Sequence, residues 1–267
     1  MLGLDSLTPF HLALVVTVVF IAGFVDSIAG GGGLISLPAY LAAGLPPHAA
    51  LATNKFSSCM GTLTAVVRFY RAGKVRIRLG LAAALGALGG SALGTRIALG
   101  LEEGTIRTVV LVLVPIVLAL FLGKDRLLKR FSGKAPPPAS SPPDSRRELC
   151  ASLLLGLVIG TYDGFFGPGT GTFLAVGFHV IARLELTTAS GNARLANLAS
   201  NAGSLAVFLL AGKVVFPLAI VTAGAGIVGN ILGAGLAVQR GERLIRPLMV
   251  CVLILLMAHV AHQQLGL

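Results

Sequence analysis

The sequence predicts an all-α polytopic membrane protein made of two homologous halves with about eight transmembrane elements. Three observations predict it. Of 267 residues, 55% are hydrophobic and 12% are charged, whereas an ordinary soluble domain carries about 25% charged residues. Apolar runs approaching the ~20 residues that cross a bilayer core recur along the chain. Lastly, the segments on either side of one polar, proline-rich stretch repeat each other in order.

The apolar elements lie near 10–29, 34–44, 48–71, 77–99 and 104–123, then near 149–166, 171–183, 187–211, 214–238 and 243–264. The first follows "MLGLDSLTPFH", which has no Lys or Arg and so lacks the basic start of a cleaved signal peptide. It is read as part of the mature protein. Between the two sets lies residues 123–148, "GKDRLLKRFSGKAPPPASSPPDSRRE". Its Pro, Ser and charged residues cannot bury a core, so it reads as a linker. The organisation is therefore an N-terminal transmembrane repeat, 1–122, the linker, 123–148, and a C-terminal transmembrane repeat, 149–267.

The first break falls in "FVDSIAGGGGLISLP", residues 24–38, where four consecutive glycines follow a lone carboxylate inside an apolar run. The second falls in "TYDGFFGPGTG", residues 161–171. Gly23, Asp26, Gly30 and Gly32 match Gly160, Asp163, Gly167 and Gly169 at an offset of 137. Downstream the offset becomes 139, where "AGKV" at Ala72 matches "AGKV" at Ala211, and Gly90, Gly94 and Arg107 match Gly229, Gly233 and Arg246. Lys55 then falls on Arg194. Duplicated halves are a common plan of secondary transporters.

Charge decides how the copies are related. Residues 68–78 hold Arg68, Arg71, Lys74, Arg76 and Arg78, a charge of +5, while the matching 207–217 hold only Lys213. In the next turn Arg96 and Arg107 cancel Glu102 and Glu103, but its counterpart has Arg240, Arg243 and Arg246 against Glu242. Basic residues collect in cytoplasmic loops, so the reversed bias predicts inverted repeats, with the linker cytoplasmic and both termini periplasmic. Inversion needs an odd number of crossings per half, which follows if the broken first element is re-entrant. Leu34–Gly44, at 1.5 Å per residue, covers only about 16 Å of the core.

A glycine turn inside hydrocarbon survives only when buried in protein or facing a watery cavity. Each short helix that follows a break offers N-terminal N–H groups to an anion. Gly31, Gly32 and Gly33, with Gly169, Thr170 and Gly171, are the candidate backbone contacts. Close helix packing is the alternative for such glycines, and it suffices for "AGALGGSALG" around Ala87. "ATNKFSSCMGT" (52–62) and "GNARLANLASN" (191–201) each place a cation among amides and hydroxyls. Candidate ligands here are Thr53, Asn54 and Lys55, then Arg194, Asn197 and Asn201, the last three sharing one helical face. Snorkelling to the headgroups is the alternative for the cations. Asp26 and Asp163 are candidates for coupling or gating, as proton carriers, helix caps or counter-ions.

Other signals are weak. Cys59, Cys150 and Cys251 are too few and too scattered for a disulfide framework or a zinc site. His48, His179, His259 and His262 sit near helix ends as interfacial residues. The net charge of +11 sets membrane orientation and does not point to nucleic acid. No Walker, His-x-x-x-His or Gly-x-Ser-x-Gly pattern lies in a span, so neither an enzyme, a metal nor a cofactor is expected.

"GFVDSIAGGGGLISLPAYLAAGLPPHAALATNKFSS…GTLTAVVRFYRAGKV", with "DGFFGPGTGTF" and "N…LASN…FLLAGKV" later, resembles the TauE/SafE sulfite-exporter family over essentially the whole chain outside the linker. The resemblance implies a bacterial inner-membrane transporter of sulfite, sulfoacetate or other organosulfur anions. It places Lys55, Asn54 and the Gly30–Gly33 turn in one half of the site, with Gly167–Gly171, Arg194 and Asn197 in the other. Asn192 and Arg194 depart from the Thr-Lys pattern of the first half. The expected partners are a small sulfur-containing anion and the lipid bilayer, with a homodimer compatible. Transport of another small anion, or passive anion conduction, is the alternative function.

Overall fold

A computed structural model describes residues 8–110, 112–113, 116–117 and 145–240. The expected element at 243–264 and most of the 123–148 linker lie outside these residues. All regular structure among the described residues is helical: α1 (Pro9–Ala29), α2 (Gly33–Ala42), α3 (Pro47–Arg71), α4 (Ile77–Leu99), α5 (Arg146–Phe165), α6 (Thr170–Ile181), α7 (Leu186–Leu210) and α8 (Phe216–Arg240). Residues 103–110 are helical as well. Of the described helices, α1, α4, α5 and α8 are long and apolar enough to cross a membrane. Helices α3 and α7, 25 residues each, are as long but carry the polar candidates.

Local chemistry accounts for the boundaries. Helix α5 starts three residues ahead of the apolar run because Ser145 caps it. Its hydroxyl accepts the Glu148 N–H at 3.3 Å, and the Glu148 carboxylate accepts the Ser145 N–H at 3.2 Å. The breaks come where the sequence places them. After Ala29, Gly30 and Gly31 have φ of 77° and 91°; after Phe165, Gly167 and Gly169 have φ of 96° and 87°. These are left-handed values that cost a side-chain-bearing residue about 1–2 kcal/mol. The helices that follow are short, 10 residues in α2 and 12 in α6, or roughly 15–18 Å against a ~30 Å core.

The halves interlock rather than sit side by side. Gly86, Gly90 and Gly94 of α4 press on the carbonyls of Leu153, Leu157 and Thr161 of α5. Gly229 and Gly233 of α8 press in the same way on Phe20 and Phe24 of α1. These contacts correspond through the repeat, Gly90 with Gly229 and Leu157 with Phe20. They are the close packing expected around Ala87, and small residues let backbones approach this far.

The rising residue numbers make α4 parallel to α5 and α8 parallel to α1. Helix α8 also runs parallel to α3, since the Val215 N–H bonds Thr53 Oγ1 while Gly61, further along, abuts Asn230. Helix α7 runs parallel to α4, with Gly80 against Asn192 and Gly203 against Leu88. Helices α3 and α7 are antiparallel: Lys55 meets Asn201 and Phe69 meets Gly191. Outward faces are apolar, as a lipid-facing surface requires: Leu81 and Leu85 on α4, Leu154 and Val158 on α5, and Ile220 and Leu232 on α8 are exposed.

Candidate functional site

Besides the solvent-exposed Lys74–Glu185 contact at 3.2 Å, two ion pairs cross between the halves beside the helix breaks. Lys55 on α3 donates to Asp163 Oδ2 on α5 at 2.6 Å, and Arg194 on α7 donates from Nη1 to Asp26 Oδ2 on α1 at 2.9 Å. Under the repeat, Lys55 corresponds to Arg194 and Asp26 to Asp163, so each half neutralises the cation of the other. Lys55, Asp163 and Arg194 have side chains 3%, 3% and 1% exposed. Such burial excludes headgroup snorkelling. Leaving either cation at that depth without its partner would be strongly unfavourable.

The carboxylates also fasten the helix breaks. Asp26 Oδ1 accepts the Gly32 N–H at 3.0 Å. Asp163 Oδ1 accepts the Thr170 hydroxyl at 2.7 Å, and its Oδ2 also accepts from Ser200. Both aspartates stand as counter-ions to a buried cation. Asp26 also accepts a backbone N–H at its break, whereas among the described residues Asp163 accepts only side-chain donors, and neither caps the short helix that follows.

A cavity of about 40 Å³ lies between these elements. At 10–15 Å³ for one water, it has room for about three waters or one small ion. Its wall includes Gly31, Gly32 and Gly33 from the first break and Gly167, Gly169, Thr170 and Gly171 from the second. Asp26, Asn54, Lys55, Asp163, Asn197 and Asn201 complete most of the polar lining. The structure thus brings together twelve of the fourteen residues singled out in the sequence.

Thr53 and Arg194 do not line it. Thr53 is fully buried, and its hydroxyl accepts the Val215 N–H at 3.2 Å, which ties α3 to the start of α8. Arg194 stands behind the wall: a side chain on Gly171 would meet its Nη1 at 3.0 Å and the Gly30 Cα at 3.2 Å. Its buried Nε has no hydrogen-bond partner. Arg194 therefore acts on the cavity through Asp26, which does line it and is 17% exposed.

Beside the two paired carboxylates and Asn230, whose buried Oδ1 lacks a partner among the described residues, the lining residues present hydrogen-bond donors. Ser36 donates to Asn54 Oδ1 at 2.7 Å and Lys55 donates to Asn201 Oδ1 at 3.2 Å. An ammonium only donates, so the Asn201 amide is fixed with its carbonyl toward Lys55 and its NH₂ left over. Among the described residues, neither NH₂ group has a protein partner. The Ser58 and Thr62 hydroxyls, also on the lining, have none either.

Ser36, Thr62 and Asn230 line the cavity too, and the sequence reading missed them. Asn230 left a readable signal, being the one side-chain amide before Gln239 in the apolar run of α8. Ser36 and Thr62 left none, since single hydroxyls are common in membrane helices.

Comparison with known proteins adds an independent line. The family model described as "Sulfite exporter TauE/SafE" matches residues 15–260. The chain is 33% identical over 272 residues to "Probable membrane transporter protein YfcA" of Escherichia coli (strain K12), covering 99% of this chain and 94% of that protein. It is 36% identical over 248 residues to "Probable membrane transporter protein ORF9" of Sinorhizobium sp., covering 92% and 91%. A "Probable membrane transporter protein" of Haemophilus influenzae is 33% identical over 257 residues, covering 95% of each. No solved structure matches at a significant level.

Proposed function

Because the chain belongs to the sulfite exporter TauE/SafE family of membrane transporters, we propose that it is a secondary transporter exporting sulfite or a small organosulfonate across a bacterial inner membrane. The observation that carries this reading is the donor-lined cavity between the two helix breaks, with Lys55 Nζ on its wall. Sulfur oxyanions present several acceptor oxygens and no aliphatic surface beyond their substituent. Lys55, the Asn54 and Asn201 NH₂ groups and the backbone N–H groups at the breaks suit such an ion. Arg194 and Thr53 hold the site in shape from behind.

The halves operate as inverted repeats. Support comes from helix directions: α1 runs with α8 and α3, α3 runs against α7, and α7 runs with α4 and α5. Helix α1 and its repeat equivalent α5 therefore point in opposite directions. In this reading the linker is cytoplasmic, the termini are periplasmic, and one repeat moves against the other around the cavity. An inside-negative potential favours anion export by about 2.3 kcal/mol per charge per 100 mV.

Radiolabelled sulfite and methanesulfonate flux into proteoliposomes tests the proposal. Saturable flux of either ion, abolished in Lys55→Ala, is expected. Non-saturating conductance would mark a channel instead, and undiminished flux without Lys55 would remove the anion site.

A further inference from the structure

Charge counting at the cavity narrows the substrate beyond what the family name conveys. Three charged side chains are buried among the described residues, Lys55, Asp163 and Arg194, and the partner of Arg194, Asp26, is 17% exposed. Two cations face two carboxylates, so the site is neutral before anything enters. Every other Lys, Arg, Asp and Glu whose side-chain burial is described is exposed or partly exposed and stands outside the cavity lining. His48, buried against the Ala98 carbonyl, is outside the lining as well. An entering anion finds dipolar donors and a cation that is already matched.

We infer that Asp163 is a charge filter that makes this cavity a site for singly charged oxyanions, and that doubly charged ones are rejected. The inference rests on the anion-site reading above. The Asn, Ser and Thr donors and the break N–H groups can solvate one negative charge, as hydrogen bonds to ions do. A second charge in the same buried volume has no cation to meet, and burying an unmatched charge is strongly unfavourable. Drawing Lys55 away from Asp163 gains nothing, because the carboxylate stays in the wall, held by Thr170 and Ser200. Hydrogen sulfite and monosulfonates fall inside the selection. Sulfite dianion, sulfate and carboxysulfonates fall outside it, sulfoacetate among them, so the proposed cargo narrows to hydrogen sulfite and monosulfonates. Discrimination of this kind works by an unfavourable element placed against the wrong ligand.

Methanesulfonate and sulfate form a matched probe pair, both tetrahedral at sulfur but carrying one charge and two. Thermal protection of the purified full chain is measured with each at constant ionic strength, in the wild type and in Asp163→Asn. Wild-type protection should need at least about tenfold more sulfate than methanesulfonate, a difference of about 1.4 kcal/mol. Asp163→Asn, which leaves the site one positive charge in excess, should shrink or reverse that ratio. Equal protection of the wild type by both ions overturns the filter while leaving the anion site standing. Protection by neither, together with no flux of either, overturns the anion site itself. If Asp163→Asn does not fold, the wild-type ratio still decides.

Discussion

Removing Lys55 should damage stability and transport separately, and the two effects can be pulled apart. In Lys55→Ala the Asp163 carboxylate, 3% exposed in the intact site, loses its 2.6 Å partner. The Ser200 and Thr170 hydroxyls stay, but they are neutral. Breaking a buried pair from one side costs about 3–5 kcal/mol because the remaining charge is uncompensated. Converting both partners to apolar residues of similar size removes that charge and is near neutral. Lys55→Met should therefore lower the midpoint of thermal unfolding by on the order of 10 °C. The double variant Lys55→Met/Asp163→Leu should recover most of this, and neither should transport. Unfolding in detergent by intrinsic tyrosine fluorescence reads the first quantity, and proteoliposome flux reads the second. Two single-variant losses that simply add in the double variant would refute the buried pair. Flux restored with stability would refute Lys55 as a substrate contact.

Arg194→Ala should cost less stability than Lys55→Ala in the same assay, because Asp26, at 17% exposed, keeps contact with the cavity. Gly90→Ala drives a methyl into the Leu157 carbonyl, whereas Gly89 has open space around it. The first should destabilise by about 1–3 kcal/mol and Gly89→Ala by no more than about 0.5 kcal/mol, judged by unfolding midpoint. Gly31→Ala, at φ 91°, should lose about 1–2 kcal/mol and lower flux with it, since Gly31 lines the cavity. Ser145→Ala removes the α5 capping box and should cost about 1 kcal/mol with substrate affinity unchanged.

Much of this architecture is written locally. The ends of α4 at Ile77 and Leu99 follow from basic residues before the run and Gly100 after it. Both breaks follow from glycine clusters, and the repeat from spaced identities. The site residues were recognisable because a cation among amides stands out against Leu, Ala and Val. What no single stretch encodes is which carboxylate meets which cation: Asp26 and Lys55 share a half, yet each binds across to the other. Only the interlocking of α4 with α5 and α8 with α1 brings the crossed partners together. Thr53 illustrates the same limit. Its neighbours Asn54 and Lys55 line the cavity, but one step around the helix turns its hydroxyl to the backbone of Val215.

The seam between α1 and α8 bears on how the chain is made. The surface of α1 around Phe20 and Phe24 is filled by Gly229 and Gly233, which are synthesised roughly 200 residues later. Until then the α1 carbonyl ridge lacks its glycine cover, and Asp26 has no guanidinium to answer it before Arg194 emerges. The amino-terminal half is thus no independent folding unit. A ribosome stalled ahead of α8 would leave α1 without the helix that covers it, so the seam between these two helices closes late relative to the synthesis of α1.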